Sequence, residues 1–268
     1  VDGDGALGQL VGRHALAVCV DKARASGTAT VTACRSRHFG AAGTYCLMAL
    51  ERDMIAISMT VSSPRLAPTG GTRPMFGTNP IAMGVPGDQD FPLVIDLAMS
   101  SIAAGKLELA AAAGDTLPEG VARDLKGEPT TDPLTALSGT IVPIGEHKGY
   151  ALTMLIELLA GLLGGAPYFG VDRGAVPEHI RESGIGHSFI CIDPARFMPA
   201  PMFKKQVGAM VAAVKRSPRM PQVEEIFVPG ELEEKRRQDR YERGIPLAPS
   251  TLSLLQDLAR SCGVNANL

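Results

Sequence analysis

Two different hydrophobic periods alternate at the start of the chain. Apolar positions from about Ala6 to Ala25 recur with the spacing of an amphipathic helix, which Asp4 is placed to cap and Gly27 to end. A strand, a helix and a second strand are predicted next, at 28–33, 41–52 and 54–60. An opening of helix, strand, helix and strand favours an α/β fold.

The same patterns continue beyond a long loop at residues 62–79, which is rich in proline and glycine. They predict strands at 81–85, 93–96 and 187–193, and helices at 98–113, 149–164, 203–215, 230–242 and 249–261. The segment from Tyr150 to Gly165 is the longest apolar run. Because Glu157 interrupts it and it is short for a membrane span, we expect a buried helix there and no membrane segment.

The bulk composition narrows the class of protein. With 26 basic and 28 acidic side chains, the 268 residues carry a net charge of −2, which gives no electrostatic reason to expect nucleic acid as a partner. The five cysteines are scattered and form no C-x-x-C motif, a pattern typical of a reducing compartment, so we expect a cytoplasmic protein.

A glycine pattern near the start resembles a nucleotide-binding motif. Gly3, Gly5 and Gly8 match G-x-G-x-x-G, but that fingerprint needs a strand directly before it to deliver the pyrophosphate to a helix. Only two residues precede Gly3. The glycines are therefore better explained as the start of a helix, and any dinucleotide must be bound by another device.

His38 is the most interesting ionisable residue. It follows a predicted strand, precedes a predicted helix, and carries an imidazole that titrates near neutral pH, as a general acid or base should. The alternative is a buried histidine hydrogen-bonded to the backbone. Cys34 lies four residues earlier, which leaves a Cys–His nucleophile pair as a second, weaker alternative.

Three further positions have the chemistry to hold a ligand. Asp96 ends an apolar strand, where a carboxylate can accept hydrogen bonds from a ribose or cap the next helix. Lys148 begins the most apolar helix, where it is either a phosphate ligand or a surface lysine. Gly230 and Glu231 open a charged helix, where Glu231 is equally explained by the helix dipole. The histidines have no partners at the spacing of metal ligands, so we expect no metal site.

Taken together, these motifs resemble a known family, the malate/L-lactate dehydrogenases, which also includes ureidoglycolate dehydrogenase, diketogulonate reductase, sulfolactate dehydrogenase and piperideine-2-carboxylate reductase. The resemblance runs nearly end to end. The similar segments are Val1-Asp2-Gly3-Asp4, Leu7-Gly8-Gln9, His38-Phe39-Gly40-Ala41-Ala42-Gly43, Ser62-Ser63-Pro64, Gly77-Thr78-Asn79-Pro80-Ile81-Ala82, Asp96-Leu97-Ala98, Pro129-Thr130-Thr131-Asp132-Pro133, His147-Lys148-Gly149-Tyr150, Pro229-Gly230-Glu231 and Gly244-Ile245-Pro246-Leu247.

The resemblance implies an α/β fold with a mixed sheet and flanking helices, of the non-Rossmann NAD(P)-binding type. It implies hydride transfer between NAD or NADP and a small 2-oxo or 2-hydroxy acid, a homodimer, and His38 as the acid–base residue. It also implies a set of cofactor contacts: Ser62, Asp96, Leu97, Ala98, Lys148, Gly149, Gly230 and Glu231. Asn79 is implied to lie near the substrate, and Gln206 is a further candidate for the cofactor.

The family resemblance also bears on the extent of the chain. Its members carry a helical segment before the equivalent of Val1, with a Ser-His-Gly motif and an arginine that contact substrate, and we expect residues 1–268 to be one catalytic unit without that segment. Within it we expect a cofactor-binding lobe at about 60–195. The alternative is a catalytically impaired or inactive fragment or homologue that keeps the fold and its affinity for cofactor. The sequence does not distinguish NAD from NADP or name the acid.

Overall fold

The computed structural model describes residues 1–166 and 184–265. Its strands are β1 (Thr28–Ser36), β2 (Ile55–Thr60), β3 (Ile81–Val85), β4 (Leu93–Leu97), β5 (Ala122–Arg123), β6 (Thr140–Ile141) and β7 (Ile185–Ile192). Its α-helices are α1 (Gly8–Ser26), α2 (Gly43–Leu50), α3 (Ala104–Ala113), α4 (Pro133–Ser138), α5 (His147–Ile156), α6 (Ala200–Lys215), α7 (Glu231–Arg243) and α8 (Pro249–Ser261).

A five-stranded sheet in the order β1-β7-β2-β3-β4 forms the centre, and β5 and β6 form a separate pair. Every pair of neighbours described in the central sheet is antiparallel. Since β1, β2 and β4 are each separated by one intervening strand, these three run in the same direction. Their carboxyl ends therefore meet at one edge of the sheet, which fixes where the chemistry can collect.

Helices α1 and α2 cover one face of the sheet. Strand β1 alternates between buried and more exposed positions, so that Val31 and Ala33 face these helices. Phe189 and Cys191 of β7, an interior strand of the sheet, join the same cluster and are fully buried. This apolar layer holds β1 and α2 together, and the loop between them carries His38.

The opposite face is covered by α3, α4, α5 and the segment that follows α5. Met59, Ile141 and Ile156 belong to this second apolar cluster. A smaller third cluster packs α6 against the edge strand β4 through Val207, Val211 and Leu93. An α/β fold with helices flanking a central sheet is thus confirmed.

Three local predictions are wrong. The cap of α1 is Leu7 and not Asp4, because Asp4 adopts a φ of +47° and pairs with Arg35. Helix α3 starts at Ala104 and not at Ala98, because residue Ser101 instead bonds to Val142.

The predicted long helix 149–164 is also not uniform. It is α-helical to Ile156, then a π-helix over Glu157–Gly161 and a 3₁₀ turn over Leu162–Gly164. No helix within residues 1–166 and 184–265 has both the length and the apolar character needed to cross a membrane.

Candidate active site

The carboxyl edge of the sheet gathers the ends of three strands. His38 lies two residues beyond β1, Ser62 lies two residues beyond β2, and Asp96 is the penultimate residue of β4. A side chain at the end of a rigid strand is held more firmly than one in a free loop. The fold therefore brings predicted site residues that are far apart in sequence to a shared edge.

The imidazole of His38 is exposed in the loop between β1 and α2. The backbone N–H of Gly40 donates to its Nδ1 at 3.2 Å, so the neutral ring held in this way carries its proton on Nε2. A substrate hydroxyl must replace that N–H, or the ring must turn over, before the imidazole can accept the hydroxyl proton. The N-terminus of α1 packs directly against this loop. Gly8, its first residue, lies so close to the carbonyl oxygen of His38 that a Cβ there would overlap it.

The alternative Cys–His pair gains no support from these contacts. Cys34 lies within β1 and its Sγ contacts the carbonyl oxygen of Val1 at 3.9 Å. Its thiol thus faces the start of the chain, and the hydrogen bond described for the His38 ring is made by Gly40.

Asp96 connects the end of β4 to the start of α2. Its Oδ2 accepts a hydrogen bond of 2.7 Å from the backbone N–H of Gly43, the first residue of α2. Loss of water around the carboxyl raises the pKa of Asp96 above its ordinary value; the Gly43 bond lowers the pKa and the charge of Glu233 raises it. Oδ1 accepts no hydrogen bond from the described residues and can accept one from a ligand.

Ser62 and Asn79 lie next to each other. The side-chain oxygen of Asn79 accepts from the backbone N–H of Ser62 at 3.0 Å, and the Ser62 hydroxyl lies 3.3 Å from that of Thr78. Asn79 is completely buried, and its amide nitrogen donates to the Thr153 carbonyl oxygen at 3.2 Å and to Glu157 at 2.7 Å. Asn79 therefore lies directly behind Ser62 and links it to α5, and its expected place near the substrate stays a prediction.

Glu157 has a buried carboxyl group. The sequence pattern marked it only as a break in an apolar run and did not indicate a place in the site. Burial raises the pKa of Glu157 to about 7, and the hydrogen bond from Asn79 partly offsets this. Its Oε1 has no hydrogen-bond partner among the described residues. A lone glutamate within an apolar run was the available signal, since such a group must either ionise at a cost or stay protonated.

Lys148 lies in the first turn of α5 and is exposed. The start of α5 is tied to the end of β4, because the N–H of Ile144 donates to the Met99 carbonyl oxygen at 3.0 Å. Gly149 is buried, and a Cβ there would overlap the carbonyl oxygen of Ile144. Gly149 therefore allows the tight turn that presents Lys148.

The turn at Gly230 approaches the opposite end of β4. Gly230 has a φ of +93°, and a Cβ there would overlap the carbonyl oxygen of Pro92. Glu231 is buried; its carboxylate pairs with Lys215 and accepts from the backbone N–H of Val228 at 3.3 Å. Its side chain is thereby committed to the protein, which leaves the backbone of this turn as the part that can meet a ligand.

A cleft of about 1000 Å³ runs along β4 between these two ends. Among the predicted cofactor residues, Asp96, Leu97 and Gly230 line it, whereas Ser62, Lys148 and the acid–base candidate His38 lie outside its lining. The volume is that of a cofactor pocket, and the buried Oε1 of Gln89, on the cleft wall, has no partner among the described residues. These features fit a dinucleotide held along β4.

Acidic residues outnumber basic residues in the lining of this cleft. The acidic residues are Glu51, Asp53, Asp90, Asp96, Glu233 and Glu234, and the basic residues are Lys204 and Arg237. Both basic groups are already paired: Lys204 with Asp53, and Arg237 with Glu234 through bonds of 2.6 and 2.7 Å. The cleft therefore offers more acceptors for hydroxyl groups than charges for a phosphate.

His187 is a site residue that the sequence argument missed. It is completely buried in β7, and its ring stacks on Phe39, the residue after His38, with centroids 4.6 Å apart. A histidine inside an apolar strand gives no signal in one sequence, because its neighbours come from β1 and β2.

Comparisons with known proteins agree on one family. A profile described as malate/L-lactate dehydrogenase matches residues 1–256. The chain is 37% identical over 269 residues to the L-sulfolactate dehydrogenase of Methanothermobacter thermautotrophicus, a match that covers 100% of the chain and 76% of the relative. It is 42% identical over 177 residues to a (2R)-3-sulfolactate dehydrogenase (NADP(+)) of Chromohalobacter salexigens, covering 65% of the chain and 53% of the relative.

The fold comparison gives the same picture. The structure of malate dehydrogenase from Pyrococcus horikoshii superposes with a TM-score of 0.86 at 34% identity, covering 99% of this chain and 74% of that one.

Proposed function

This chain belongs to the malate/L-lactate dehydrogenase family, and we propose that His38 is the acid–base residue of its reaction. The chain is an NAD(P)-dependent 2-hydroxy acid dehydrogenase, which transfers a hydride between the cofactor and a small 2-oxo or 2-hydroxy acid. We propose acids of the malate or lactate type as its substrates. The observation that carries the role of His38 is its place on the carboxyl edge of the sheet, the same edge at which β2 leads to Ser62 and β4 ends just after Asp96.

The protein's part in the reaction is to place the substrate and to move a proton. When bound, the nicotinamide supplies or accepts the hydride. In oxidation, neutral His38 takes the proton of the substrate hydroxyl; in reduction, protonated His38 returns it to the carbonyl oxygen, where negative charge develops. The exposed position of the imidazole leaves it open to substrate and to exchange of its proton with water.

The cofactor contacts are proposed along β4 and beside it. The free carboxylate oxygen of Asp96 accepts from a ribose hydroxyl, and the backbone at Leu97, Ala98 and the Gly230–Glu231 turn follows the cofactor. Ser62 and Lys148, with Gly149 behind it, provide a hydroxyl and a cation for the phosphates. These contacts fall within the proposed lobe at about 60–195, except for the turn at 230–231, and residues 167–183 of that lobe lie outside the described residues.

A homodimer is proposed from the apolar surface that the fold leaves open. Helix α8 buries none of its residues, and its Leu254 and Leu258 are 70% and 59% exposed. Leu155 and Leu163 are exposed along the segment that begins with α5. A second copy of the chain would cover such surface. Molar mass from light scattering across a concentration series tests this, and a monomer at all concentrations contradicts it.

A reducing, cytoplasmic location is also proposed, because all five cysteines are free thiols.

The decisive experiment on His38 is its replacement by alanine. We expect turnover to fall by about two to four orders of magnitude, because proton transfer by a placed side chain contributes that much. NADH and NADPH absorbance is followed with a panel of 2-oxo acids, and cofactor binding is measured by fluorescence. Turnover within about threefold of the parent contradicts the assignment. Binding without turnover in the parent chain supports the non-catalytic alternative.

A further inference from the structure

His187 lies near the start of β7, between the two strands that lead to His38 and Ser62. Its backbone pairs with Ala33 of β1 on one side and with Thr60 of β2 on the other. The side chain is completely buried. A buried imidazole needs hydrogen-bond partners within the protein. The partners of His187 therefore identify the segments that it holds in place.

Both ring nitrogens of His187 are hydrogen-bonded. Nδ1 lies 2.7 Å from the Thr60 hydroxyl and Nε2 lies 2.7 Å from the Ser36 hydroxyl. The Thr60 hydroxyl donates its own proton to the carbonyl oxygen of Gly186 at 3.0 Å. Thr60 therefore accepts from Nδ1–H, and Nε2 accepts from Ser36.

The imidazole of His187 stays neutral at physiological pH. Burial lowers the pKa of His187 to about 4, and the nearby charge of His38 acts in the same direction. A neutral ring can keep one donor and one acceptor in fixed places while the proton on His38 comes and goes. The arrangement of the two hydroxyls around it is thus independent of the catalytic proton.

The ring of His187 also supports the residue that follows His38. Phe39 lies between two rings, with His187 on one face at 4.6 Å and Tyr45 on the other at 4.7 Å. The hydroxyl of Tyr45 donates to the Phe39 carbonyl oxygen at 2.6 Å. The side chain and the backbone of Phe39 are therefore both fixed.

We infer that His187 is a positioning residue for His38, which holds the chain on both sides of it. Ser36, two residues before His38, is fixed by the hydrogen bond to Nε2, and Phe39, one residue after it, is fixed by the ring stack. This inference rests on the proposed role of His38. It assigns His187 no contact with substrate or cofactor.

A matched pair of variants separates this role from ordinary core packing. Ser36→Ala and Thr60→Val each remove one hydroxyl from the same imidazole and leave the ring stack in place. Only Ser36 lies on the segment that leads to His38. We expect kcat of Ser36→Ala to fall about 10- to 100-fold, since a small misplacement of a reacting group has that effect. We expect kcat of Thr60→Val, measured at saturating cofactor, to stay within about threefold of the parent, because Thr60 leads to Ser62, which is proposed to bind the cofactor and not to move the proton.

The second readout needs no cofactor. The pKa of His38 is followed by histidine NMR in the parent, Ser36→Ala and Thr60→Val, with His38→Ala to assign the signal, and unfolding by urea gives the stability of each. We expect the His38 titration to move in Ser36→Ala alone. Equal titrations, with kcat values that follow stability in both variants, overturn the positioning role. Full turnover in His38→Ala would instead overturn the proposed function of His38.

Discussion

The amide nitrogen of Asn79 donates to Oε2 of Glu157 across 2.7 Å in the interior of the protein. The same amide accepts from the backbone of Ser62, so a buried carboxyl in the π-helix is linked through one side chain to a proposed cofactor residue. The link joins the segment after β2 to the segment after α5. The contribution of this hydrogen-bonded link to the stability of the protein depends on whether Glu157 is protonated.

Glu157→Gln should change how stability depends on pH. Since burial raises the pKa of Glu157 from 4.5 to about 7, its contribution to stability is fully present below pH 4.5 and is lost as pH rises through 7. The contribution of Glu157 to the free energy of unfolding therefore falls by about 3 kcal/mol between pH 4.5 and pH 7. His187 acts in the opposite sense, because its pKa is lowered from 6.5 to about 4, so its contribution is present above pH 6.5 and is lost as pH falls through 4.

The two effects nearly cancel in the parent between pH 4.5 and 6.5. In Glu157→Gln the His187 effect remains alone, so stability should rise with pH across that window. Urea unfolding of the parent and the variant at half-unit steps of pH measures this, with Glu119→Gln, an exposed acid, as the control. A constant difference between parent and Glu157→Gln at every pH contradicts the prediction.

Asn79→Gly should lower stability and weaken cofactor binding, with little effect on substrate. Asn79 has a φ of +25°, which glycine adopts easily, so the variant tests the side chain without adding backbone strain. The loss of its bonds leaves buried polar groups unpaired, at about 1–3 kcal/mol each. Urea unfolding and NADH titration are the measurements. A rise in KM for substrate alone, at unchanged stability, would contradict this prediction and would support a contact between Asn79 and the substrate.

Asp96→Asn and Asp96→Ala separate two roles of one carboxylate. Both lose the charge, but asparagine retains an oxygen that can accept from Gly43 at the start of α2. We expect Asp96→Ala to lower stability and both variants to weaken NADH binding by about 10- to 100-fold, because a charged acceptor to a hydroxyl contributes about 1.5–3 kcal/mol. Unchanged NADH affinity in Asp96→Asn would leave Asp96 with a capping role only.

The sequence was sufficient for most of the helices and strands, whereas the roles of the site candidates stay predictions. Periodicity found the strands at 81–85 and 93–97 within a residue, because local alternation decides them. It failed at the start of α3 and at the π-helix, where contacts such as Ser101 with Val142 and Glu157 with Asn79 replace the regular pattern. Those contacts join residues far apart in the chain, and no local pattern records them.

The same limit applies within the site. His38 stood out because it follows a predicted strand and Asp96 because it ends one, but their placement at the same edge depends on a strand order that runs through β7, late in the chain. His187 could not be found, since its partners Ser36 and Thr60 are more than a hundred residues away. Asn79 was found as a candidate, but its buried contacts with Ser62 and Glu157 were not predicted, because burial is a property of the whole fold.

The acidic cleft predicts a preference for NADH over NADPH. A 2′-phosphate adds negative charge to a lining whose two cations are already paired, so we expect kcat/KM with NADH to be at least about tenfold higher. Glu234→Gln weakens the bond that holds the guanidinium of Arg237 and should narrow the ratio; Glu119→Gln, outside the cleft, should leave it unchanged. Dissociation constants of both cofactors provide a readout besides activity. Tighter binding of NADPH in the parent contradicts the prediction.

Gly8→Ala should lower both stability and turnover, although alanine is the better helix former. Gly8 is the first residue of α1, and a Cβ there would overlap the backbone carbonyl oxygens of Arg37 and His38. Helix propensity favours alanine by about 1 kcal/mol. The overlap with these two carbonyl oxygens can be relieved only if the backbone of α1 or of the loop that carries His38 moves, and that movement costs more. Gly105→Ala in α3 is the matched control, because nothing lies within 4 Å of its Cβ, and there the same change should stabilise the protein. Urea unfolding and kcat are measured for both variants. A gain in stability at Gly8 with full turnover would show that α1 does not support the loop that carries His38.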